Sequence, residues 1–571
     1  MFNILSKIIL TTEILPIEEI NSAGELFEPI RFLGFAVIGL INAILMIMIA
    51  LKFLNAVQQC GYKGGDYYKW LKKKDNAYYN RIAMLSILSI LGFVLVNMAV
   101  SFLDHPLIKY SGFLVYLLFL FIYFRSDLKK KSKVPFIMTK KMFRLITTFS
   151  ILNVILSMIL IIGINLIAIP FKENLLANFR YSILCLCPIF IPYLVWLAVM
   201  VNIPIEKLIN KKYYDGCKLT LAKREDLIKI GITGSYAKTT VKNILATMLS
   251  EKYSVLKSPS SYNTPMGIVK TVKNLNDNHQ VLICEMGARR SGEIAELCSL
   301  VNPNVAVITG INHQHIESFI TIENIVRTKS EILKGDFNGK AFISCDSERS
   351  VEIYENATCE KYLAGLSDKK RALVYAKDVL VSENGTTFTI VFGKEEAKVH
   401  TKLLGEQNVS NIVLAASVSL KLGLSFAEVV SAIEKLEQVP HRLELIKSEN
   451  GVSILDDGYN ANPDGIKCAL KVLSTFSGKK YIVTPGIIEL GILRYRFNFE
   501  AGRLIADVCD GAILVGRDGS LHIREGLLSS GYSPDKIFMV KDLEEAKLKI
   551  KDLLVEGDCV LFANDLPDIH L

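Results

Sequence analysis

A polar loop at residues 232–243, with the sequence ITGSYAKTTVKN, carries the residue types that bind phosphate. The backbone N–H groups of a tight turn and the N-terminus of the following helix form an anion site, to which Lys238 would add a positive charge. The hydroxyl of Thr239 or Thr240 could then ligate Mg²⁺. The loop therefore predicts a phosphate site, and a plain strand-to-helix turn is the alternative.

The loop departs from the usual phosphate-binding pattern G-x-x-x-x-G-K-[ST]. Ile232 and Ala237 stand at its two glycine positions, while Gly234 and Ser235 lie between them. If the backbone of Ala237 has a positive φ, its methyl group costs on the order of 1 kcal/mol relative to glycine. The departure leaves the strength of the phosphate site to be decided by the backbone at Ala237.

Three further segments place polar side chains after apolar runs. CEMGARRSGEI puts Glu285 at a strand end, where its carboxylate could hold Mg²⁺ or could be an ordinary surface group. TGINHQHIESF supplies His313 and His315, which are too few for a zinc site and can serve as hydrogen-bonding groups or as single ligands. RTKSEIL places Lys329 on a helix, where a solvated lysine is the simplest interpretation.

The elements that would position these residues are those of an α/β enzyme. Short apolar runs alternate with amphipathic helical segments, which favours parallel sheets with helices on both faces. A second such unit follows QVPHRLE, and Asn462 followed by Pro463 predicts the start of a helix. Ligands of such sheets bind at the carboxyl ends of the strands. The predicted strands are DLIKIGITG, QVLICEMGA and NVAVITGIN in the first unit, and GVSILDD, KKYIVTPG, GAILVG, KIFMV and DCVLFAND in the second.

Taken in order, these motifs resemble those of the Mur ligase family of ATP-dependent amide-forming enzymes. ITGSYAKTT is similar to the family's T-G-x-x-G-K-T-[ST] loop, SYNTPMG to its N-T-x-x-G segment, and HQHIESF to its H-L-E-x-F run. EMGARRSGEI, RTKSEIL, GEQNVSNIVLAA and PHRLE also have counterparts. DDGYNANP is close to the D-D-S-Y-N-A-N-P signature of the branch that adds D-alanyl-D-alanine. The resemblance covers residues 226–571.

The resemblance implies a role for each matching residue. The catalytic group would be Lys238, Glu285, His315 and Lys329, and the Mg²⁺ ligands would be Thr239, Glu285 and His315. ATP would contact Gly234, Ser235, Ala237, Lys238, Thr239, Thr240, Asn408, Arg442 and Asp457. The substrates would contact Asn263, Thr264, Tyr459, Asn460 and Asn462. Lys329 matches a lysine that is carbamylated in several members, whereas His313 has no counterpart role.

The reaction that the resemblance implies uses ATP and Mg²⁺. A carboxylate attacks the γ-phosphate of ATP to give an acyl phosphate, and an amine then displaces the phosphate. Positive charges are needed because two anions must meet. The expected substrates are a muramoyl-peptide precursor and D-alanyl-D-alanine or another amine.

The first two hundred residues have a different composition. Overall hydrophobic content is 51%, and five nearly uncharged stretches are long enough to span a bilayer core of about 30 Å. Buried helices of a soluble protein are the alternative to membrane spans. The five predicted spans are Phe32–Leu51, Ile82–Leu103, Pro106–Phe124, Leu145–Phe171 and Tyr181–Ile205.

The charges of the loops predict the orientation in a membrane. Lysine and arginine concentrate between the first and second spans and between the third and fourth, whereas the N-terminal tail is rich in glutamate. Because basic loops stay cytoplasmic, the N-terminus is expected outside and everything after Ile205 inside the cell membrane. The net charge of +9 then fits contact with anionic lipid and requires no nucleic acid. The eleven cysteines form no metal-ligand spacing and are expected to be reduced core residues.

The expected organisation therefore has five parts. These are an extracytoplasmic tail at 1–29, a five-helix transmembrane domain at 30–205, a linker at 206–226, a central ATP-binding α/β domain at 227–440 and a Rossmann-like C-terminal α/β domain at 441–571. The family's usual domain for the uridine diphosphate of the substrate has no visible counterpart. This leaves open a lipid-linked precursor or a γ-glutamyl polymer as acceptor, and other cell-wall enzymes as partners. A transport ATPase with a phosphate-binding loop and a non-catalytic regulator are the remaining alternatives.

Overall fold

The structure is a computed structural model, and it describes residues 29–72, 77–100, 115–122, 135–168, 180–335, 337–459, 462–516 and 518–564. The chain forms two compact units, whose main segments are Met1–Ile209 and Asn210–Leu566.

The described part of the first unit consists mainly of helices. A further helical segment covers 115–122, and a 3₁₀-helix covers Arg180–Leu186. The last helix, Cys187–Ala222, extends beyond this unit, because residues from Asn210 onward belong to the second unit. The helices are α1 (Pro29–Gln59), α2 (Gly64–Leu71), α3 (Ala77–Val100), α4 (Lys140–Ala168) and α5 (Cys187–Ala222).

Three helices of the described chain are long and apolar enough to cross a membrane. They contain the segments Gly39–Gln59, Lys140–Gly163 and Ile183–Ala222, and a shorter apolar helix covers Asn80–Val96. The second predicted span therefore corresponds to the shorter helix, and most of the third lies outside the described residues. Five spans and their orientation stay predictions.

The interior of the first unit is partly polar. A Cβ atom on Gly39 of α1 would lie 3.3 Å from the carbonyl oxygen of Val154 on α4, so the two helices cross closely there. Nearby, Asn42 Nδ2 donates to Ser157 Oγ at 3.0 Å, and Tyr116 Oη donates to Asn42 Oδ1 at 3.2 Å. Small residues at the crossing and hydrogen bonds between helices are the means by which helices associate in lipid.

The second unit contains two sheets. The first has nine strands in the order β2-β3-β1-β4-β5-β6-β7-β8-β9, parallel up to β7 and antiparallel beyond it. Its strands are β1 (Ile228–Thr233), β2 (Val255–Lys257), β3 (Val281–Glu285), β4 (Val305–Ile308), β5 (Lys340–Ser344), β6 (Glu360–Gly365), β7 (Ala372–Ser382), β8 (Gly385–Phe392) and β9 (Glu395–Thr401). Its helices are α6 (Lys238–Leu249), α7 (Pro265–Val272), α8 (Glu293–Val301), α9 (Ile316–Phe319), α10 (Ile322–Lys329), α11 (Glu348–Asn356), α12 (Glu406–Lys421) and α13 (Phe426–Glu434).

The second sheet has six strands in the order β10-β11-β15-β12-β13-β14, and only the β10–β11 pair is antiparallel. Its strands are β10 (Glu444–Lys447), β11 (Ser453–Asp457), β12 (Lys480–Thr484), β13 (Gly511–Val515), β14 (Ile537–Val540) and β15 (Cys559–Ala563). Its helices are α14 (Pro463–Leu473), α15 (Arg494–Val508), α16 (Asp518–Ser529) and α17 (Leu543–Leu553). The predicted α/β class and the eight predicted strands are confirmed.

Side chains from both faces of the first sheet are buried. Along β3, Val281 and Ile283 belong to one apolar cluster, and Leu282 and Cys284 belong to another. Alternate residues of a strand point to opposite faces, so helices cover this sheet on both sides. A parallel sheet of this kind leaves its strand ends for binding.

Candidate active site

The loop between β1 and α6 is held tightly against the end of β4. Ala237 has φ 63° at the N-cap of α6, so the methyl group does sit on a left-handed backbone. Gly234 has φ 149°, and a Cβ atom there would lie 1.9 Å from Thr309 Oγ1. Ser235 N donates to Gly310 O at 2.8 Å. The loop therefore has glycine at position 234, where a side chain would clash. It has alanine at position 237, where the only cost is a strained backbone.

Lys238 is the first residue of α6, and its ammonium group closes the loop. Nζ donates to Gly234 O at 2.7 Å and to Ser235 O at 2.8 Å. Burial lowers the pKa of Lys238 to about 8, and the nearby Glu285 opposes that effect. The amine thus stands beside the backbone of the predicted phosphate loop.

Glu285 is the last residue of β3 and is 1% exposed. Thr239 Oγ1 donates to Glu285 Oε2 at 2.9 Å, and Asn263 Nδ2 donates to Oε1 at 3.2 Å. The simple interpretation of Glu285 as a surface carboxylate is therefore wrong. Instead, the carboxylate is held in place by the loop helix and by the segment that was predicted to contact substrate.

A second lysine, Lys242, also contacts this carboxylate. It lies one turn after Lys238 on α6, is 1% exposed, and places Nζ 3.2 Å from Glu285 Oε2. Nζ also donates to Ser260 O in the segment before Asn263. The sequence interpretation missed this residue, because a lysine in an amphipathic helix is usually solvated. No signal in the sequence distinguishes it from a solvated lysine, because its carboxylate partner lies 43 positions away.

His315 lies at the start of α9 with φ 62°, and its ring meets the other α/β domain. Its Nδ1 contacts Glu489 Oε2, and Glu489 Oε1 lies 3.2 Å from Arg289 Nη2. Burial lowers the pKa of His315, although Glu489 opposes the effect. Glu489 was not among the predicted site residues. His313 packs instead beside Phe497, with 5.4 Å between ring centroids.

Lys329 ends α10 and is 3% exposed, so the interpretation as a solvated lysine is wrong. Its Nζ lies 5.9 Å from the ring centroid of Phe319. Burial, reinforced by the charge of Lys238, lowers the pKa of Lys329 to about 7. A large fraction of this amine is therefore neutral near neutral pH.

A cavity of about 220 Å³ opens beside the loop, between the central and C-terminal α/β domains. Four residues predicted to bind nucleotide besides Ala237 line it, namely Thr240, Asn408, Arg442 and Asp457. Asn408 Oδ1 accepts from Asn411 Nδ2 at 3.3 Å. The sequence interpretation missed other residues that line the cavity, among them Val379, Val381, Leu404, Asn411, Cys468 and Lys471. Their mixture of apolar walls and amide groups suits a flat heterocycle.

The remaining predicted residues have visible structural roles. Arg442 Nη1 donates to Tyr459 O, and Asp457 Oδ1 accepts from Leu443 N at 3.0 Å. Asn462 is the N-cap of α14 as predicted, and Thr264 is the N-cap of α7. Asn460 lies outside the described residues.

The two domains meet through hydrogen bonds near the loop. Asn312 Nδ2 donates to Asn462 Oδ1 at 2.9 Å and to Asp464 Oδ2 at 2.8 Å. Burial raises the pKa of Tyr236 well above its usual value, with Asp464 contributing. The structure thus brings strand-end residues of the central domain against the start of α14.

The donor set around Glu285 fits a divalent cation. A buried carboxylate ends β3, a threonine hydroxyl 2.9 Å from it lies in the first turn of α6, and the imidazole of His315 lies at the start of α9, beyond the end of β4. Oxygen ligands of this kind are those that Mg²⁺ prefers, supplemented by phosphate oxygens. Thr239, Glu285 and His315 are the residues that would hold it.

Comparison with known proteins identifies the family. The Mur ligase middle domain matches residues 232–419, and the Mur ligase glutamate ligase domain matches residues 441–564. The chain is 31% identical over 336 residues to the UDP-N-acetylmuramoyl-tripeptide–D-alanyl-D-alanine ligase of Bacillus subtilis, covering 58% of this chain and 72% of that enzyme. The chain is a Mur ligase. As a member of this family it is an ATP-dependent amide ligase.

Other relatives carry the same description. The Escherichia coli enzyme of that name is 28% identical over 263 residues, covering 46% of this chain and 58% of its own length. The MurF structure from Acinetobacter baumannii superposes with a TM-score of 0.57 at 26% identity, covering 62% and 77% of the two chains. The MurF structure from Thermotoga maritima in complex with ADP gives 0.56 at 27% identity, covering 62% and 80%. Membership in the Mur ligases argues against the transport-ATPase interpretation.

Proposed function

We propose that this Mur ligase joins D-alanyl-D-alanine to a UDP-linked muramoyl tripeptide while its apolar helices anchor it in the cell membrane, with the ligase domains in the cytoplasm. The observation that carries the proposal is the buried polar cluster at the phosphate loop. Lys238 Nζ donates to Gly234 O and Ser235 O, and the carboxylate of Glu285 accepts from Thr239 Oγ1 and Lys242 Nζ. The D-alanyl-D-alanine ligase of Bacillus subtilis, similar over 336 residues, supports the choice of substrates.

The first step activates the tripeptide carboxylate. One of its oxygens attacks the γ-phosphorus of ATP, the bond from that phosphorus to the β–γ bridging oxygen breaks, and ADP leaves with the bonding electrons. Lys238 would leave its contacts with Gly234 O and Ser235 O to bind the phosphate oxygens. A bound Mg²⁺ would neutralise charge on the phosphates and on the attacking carboxylate.

The second step forms the amide. The neutral amine of D-alanyl-D-alanine attacks the acyl carbon, the tetrahedral intermediate loses inorganic phosphate, and the amine proton passes to phosphate or solvent. The cavity lined by Asn408 and Arg442 would hold the nucleoside part of ATP. Contacts between Asn312 and the start of α14 would close the C-terminal domain and exclude water.

Lys329 is proposed to act as a carbamate. A neutral lysine amine adds CO₂ and releases a proton, which gives a carboxylate. Its burial and its pKa of about 7 supply the neutral amine that this reaction needs. The new negative charge would lie within the influence of Lys238 and would support a second metal ion.

The test uses the full chain purified in detergent. Phosphate release from ATP is measured with UDP-muramoyl tripeptide, with and without D-alanyl-D-alanine, and the product is identified by mass. Release that requires both substrates and yields a pentapeptide supports the proposal. Lys238→Ala should abolish the release of phosphate. A Lys238→Ala variant as active as the parent would contradict every mechanism that uses ATP.

A lipid-linked tripeptide is the second candidate acceptor. It is favoured by the three apolar helices long enough to cross a membrane, because they would keep the ligase beside a precursor in the bilayer. The same assay with a polyprenyl-linked tripeptide distinguishes the two acceptors. A response only to the lipid-linked substrate would replace the UDP-linked one.

A further inference from the structure

Glu489 lies in the loop after β12, in the C-terminal domain, yet its carboxylate contacts two residues of the central domain. Oε2 meets His315 Nδ1, and Oε1 lies 3.2 Å from Arg289 Nη2. His315 and Glu489 are about one quarter and one fifth exposed. The carboxylate thus connects a residue of the proposed metal site to the opposite domain.

The backbone on both sides of this contact is specially arranged. Glu489 has φ 61° and His315 has φ 62°, so both side chains project from left-handed positions that non-glycine residues rarely adopt. Glu317 N donates to Glu489 O at 3.2 Å. A Cβ atom on Gly491 would lie 3.4 Å from Glu317 Cα, so the two segments are in close contact. Such strained positions persist only when the surrounding structure determines them.

The carboxylate of Glu489 contacts Nδ1 of the His315 ring and does not contact Nε2. An imidazole protonated at Nδ1 donates to Glu489 Oε2, and Nε2 then keeps the lone pair that a metal ion needs. Metal-binding histidines usually donate their second ring N–H to a carboxylate, which sets the tautomer and the ring orientation. A simple ion-pair latch between the domains is the competing explanation, since Arg289 binds the same carboxylate.

We propose that Glu489 is a positioning residue that orients His315 for Mg²⁺, and that the metal site is complete only when the C-terminal domain is closed. The inference rests on the proposed function, because His315 is a metal ligand only in that mechanism. It adds that the carboxylate supporting this ligand comes from the domain expected to bring the amine. Metal affinity and domain closure are therefore coupled.

The experiment measures Mn²⁺ binding to the full chain by electron paramagnetic resonance, in the presence of a nonhydrolysable ATP analogue. Glu489→Ala should weaken Mn²⁺ binding about 10- to 100-fold, the usual effect of losing such a carboxylate. Glu489→Gln keeps an oxygen that can accept from Nδ1 and should lose less than about tenfold. Arg289→Gln breaks the ion pair but spares the histidine contact, and should bind Mn²⁺ as the parent does.

Two results would overturn the proposal. One is Mn²⁺ binding by Glu489→Ala that equals the parent. The other is an Arg289→Gln variant as weak as Glu489→Ala, which would show a latch rather than an oriented ligand. Melting temperatures near that of the parent are required of every variant, and the conservative Glu489→Gln variant keeps the test valid if Glu489→Ala fails to fold.

A further comparison separates this inference from the proposed function. The proposal expects the C-terminal domain to open without nucleotide, so Glu489→Ala and the parent should then bind Mn²⁺ with similar, weak affinity. The amide assay could fail while Glu489→Ala still weakens Mn²⁺ binding only when nucleotide is present. That combination would reject the proposed substrates and keep the role of Glu489. If Glu489→Ala weakens Mn²⁺ binding equally with and without nucleotide, the coupling between metal affinity and domain closure would be rejected.

Discussion

The two units of this chain place apolar and polar side chains in opposite ways. In the first unit, large apolar side chains such as Leu95 and Ile159 are exposed, whereas Asn42, Asn153 and Ser157 are fully buried. In the ligase unit the sheets and helices bury apolar clusters, and the polar residues that matter gather at strand ends. The first arrangement suits hydrocarbon surroundings, and the second suits water.

The difference shows what buried polar groups do in each setting. In the first unit, Asn42, Ser157 and Tyr116 hydrogen-bond one another between helices and so fix packing. In the ligase unit, Glu285 receives hydrogen bonds from Thr239, Asn263 and Lys242, which hold a buried charge at a strand end. Changes to the two networks should therefore have separable consequences.

After the complete loss expected for Lys238→Ala, the largest effect also lies in the ligase unit, at Lys329. Lys329→Ala removes the amine that would become a carbamate and support a metal ion, so ligase activity should fall about 10- to 100-fold. Added formate or acetate should restore part of it by supplying a carboxylate to the space left behind. Steady-state phosphate release measures both effects.

The matched control is Lys334→Ala, which changes an exposed lysine five residues further along. It should retain parental activity and show no response to formate. In the parent, the neutral fraction of Lys329 falls about tenfold per pH unit below its pKa of about 7. When CO₂ is removed from the parent and then added back, the activity that returns should therefore decline below pH 7. A parental rate that does not depend on CO₂, together with a Lys329→Ala rate that does not depend on formate, would contradict a carbamate.

An intermediate effect is expected at the helix crossing of the first unit. Gly39→Leu would force α1 and α4 apart, because even a Cβ atom meets Val154 O at 3.3 Å. Overpacking of this kind costs about 1–3 kcal/mol. The only two tryptophans of the sequence, Trp70 and Trp196, both lie in this unit, so thermal unfolding followed by their fluorescence should shift to lower temperature.

Gly163→Leu is the control, since a Cβ atom there has no neighbour within 4 Å among the residues that the structure describes. It should leave the tryptophan transition unchanged. Nucleotide binding by the ligase unit should survive in both variants. Equal destabilisation by the two substitutions would mean that the crossing at Gly39 is not a close-packed contact.

The smallest effect is expected at Ala237. Ala237→Gly relieves a left-handed alanine and should stabilise the ligase unit by roughly 1 kcal/mol or less. Calorimetry of the full chain should show a small rise in the transition of that unit, while the tryptophan transition stays constant. Gly234→Ala should do the opposite, because its Cβ atom would lie 1.9 Å from Thr309 Oγ1.

Much of the ligase unit could be predicted because its signals are local. Apolar runs of four to six residues became strands, and Asn462 with Pro463 began α14 as predicted. Glu285 could be placed because it follows such a run directly. Membrane spans were harder: apolar length indicated five, and the described residues contain three helices that meet the requirement.

The missed residues share a physical reason. Lys242 meets a carboxylate 43 positions away, and Glu489 meets a histidine 174 positions away. Neither residue type nor spacing carries that information, because contacts of this range depend on how strands are ordered in a sheet and on how two domains face each other. The hairpin residues Val379 and Val381 beside the cavity were missed for the same reason.

The sequence by itself determined the division into an apolar helical part and an α/β part, the phosphate loop and the family resemblance, since hydropathy, periodicity and motifs are properties of neighbouring residues. Only the tertiary structure decided that Lys329 is buried, that Ala237 has a positive φ and that Glu489 reaches His315. Burial, backbone strain and pairing between domains arise when distant segments pack, and they decide how the predicted residues can act.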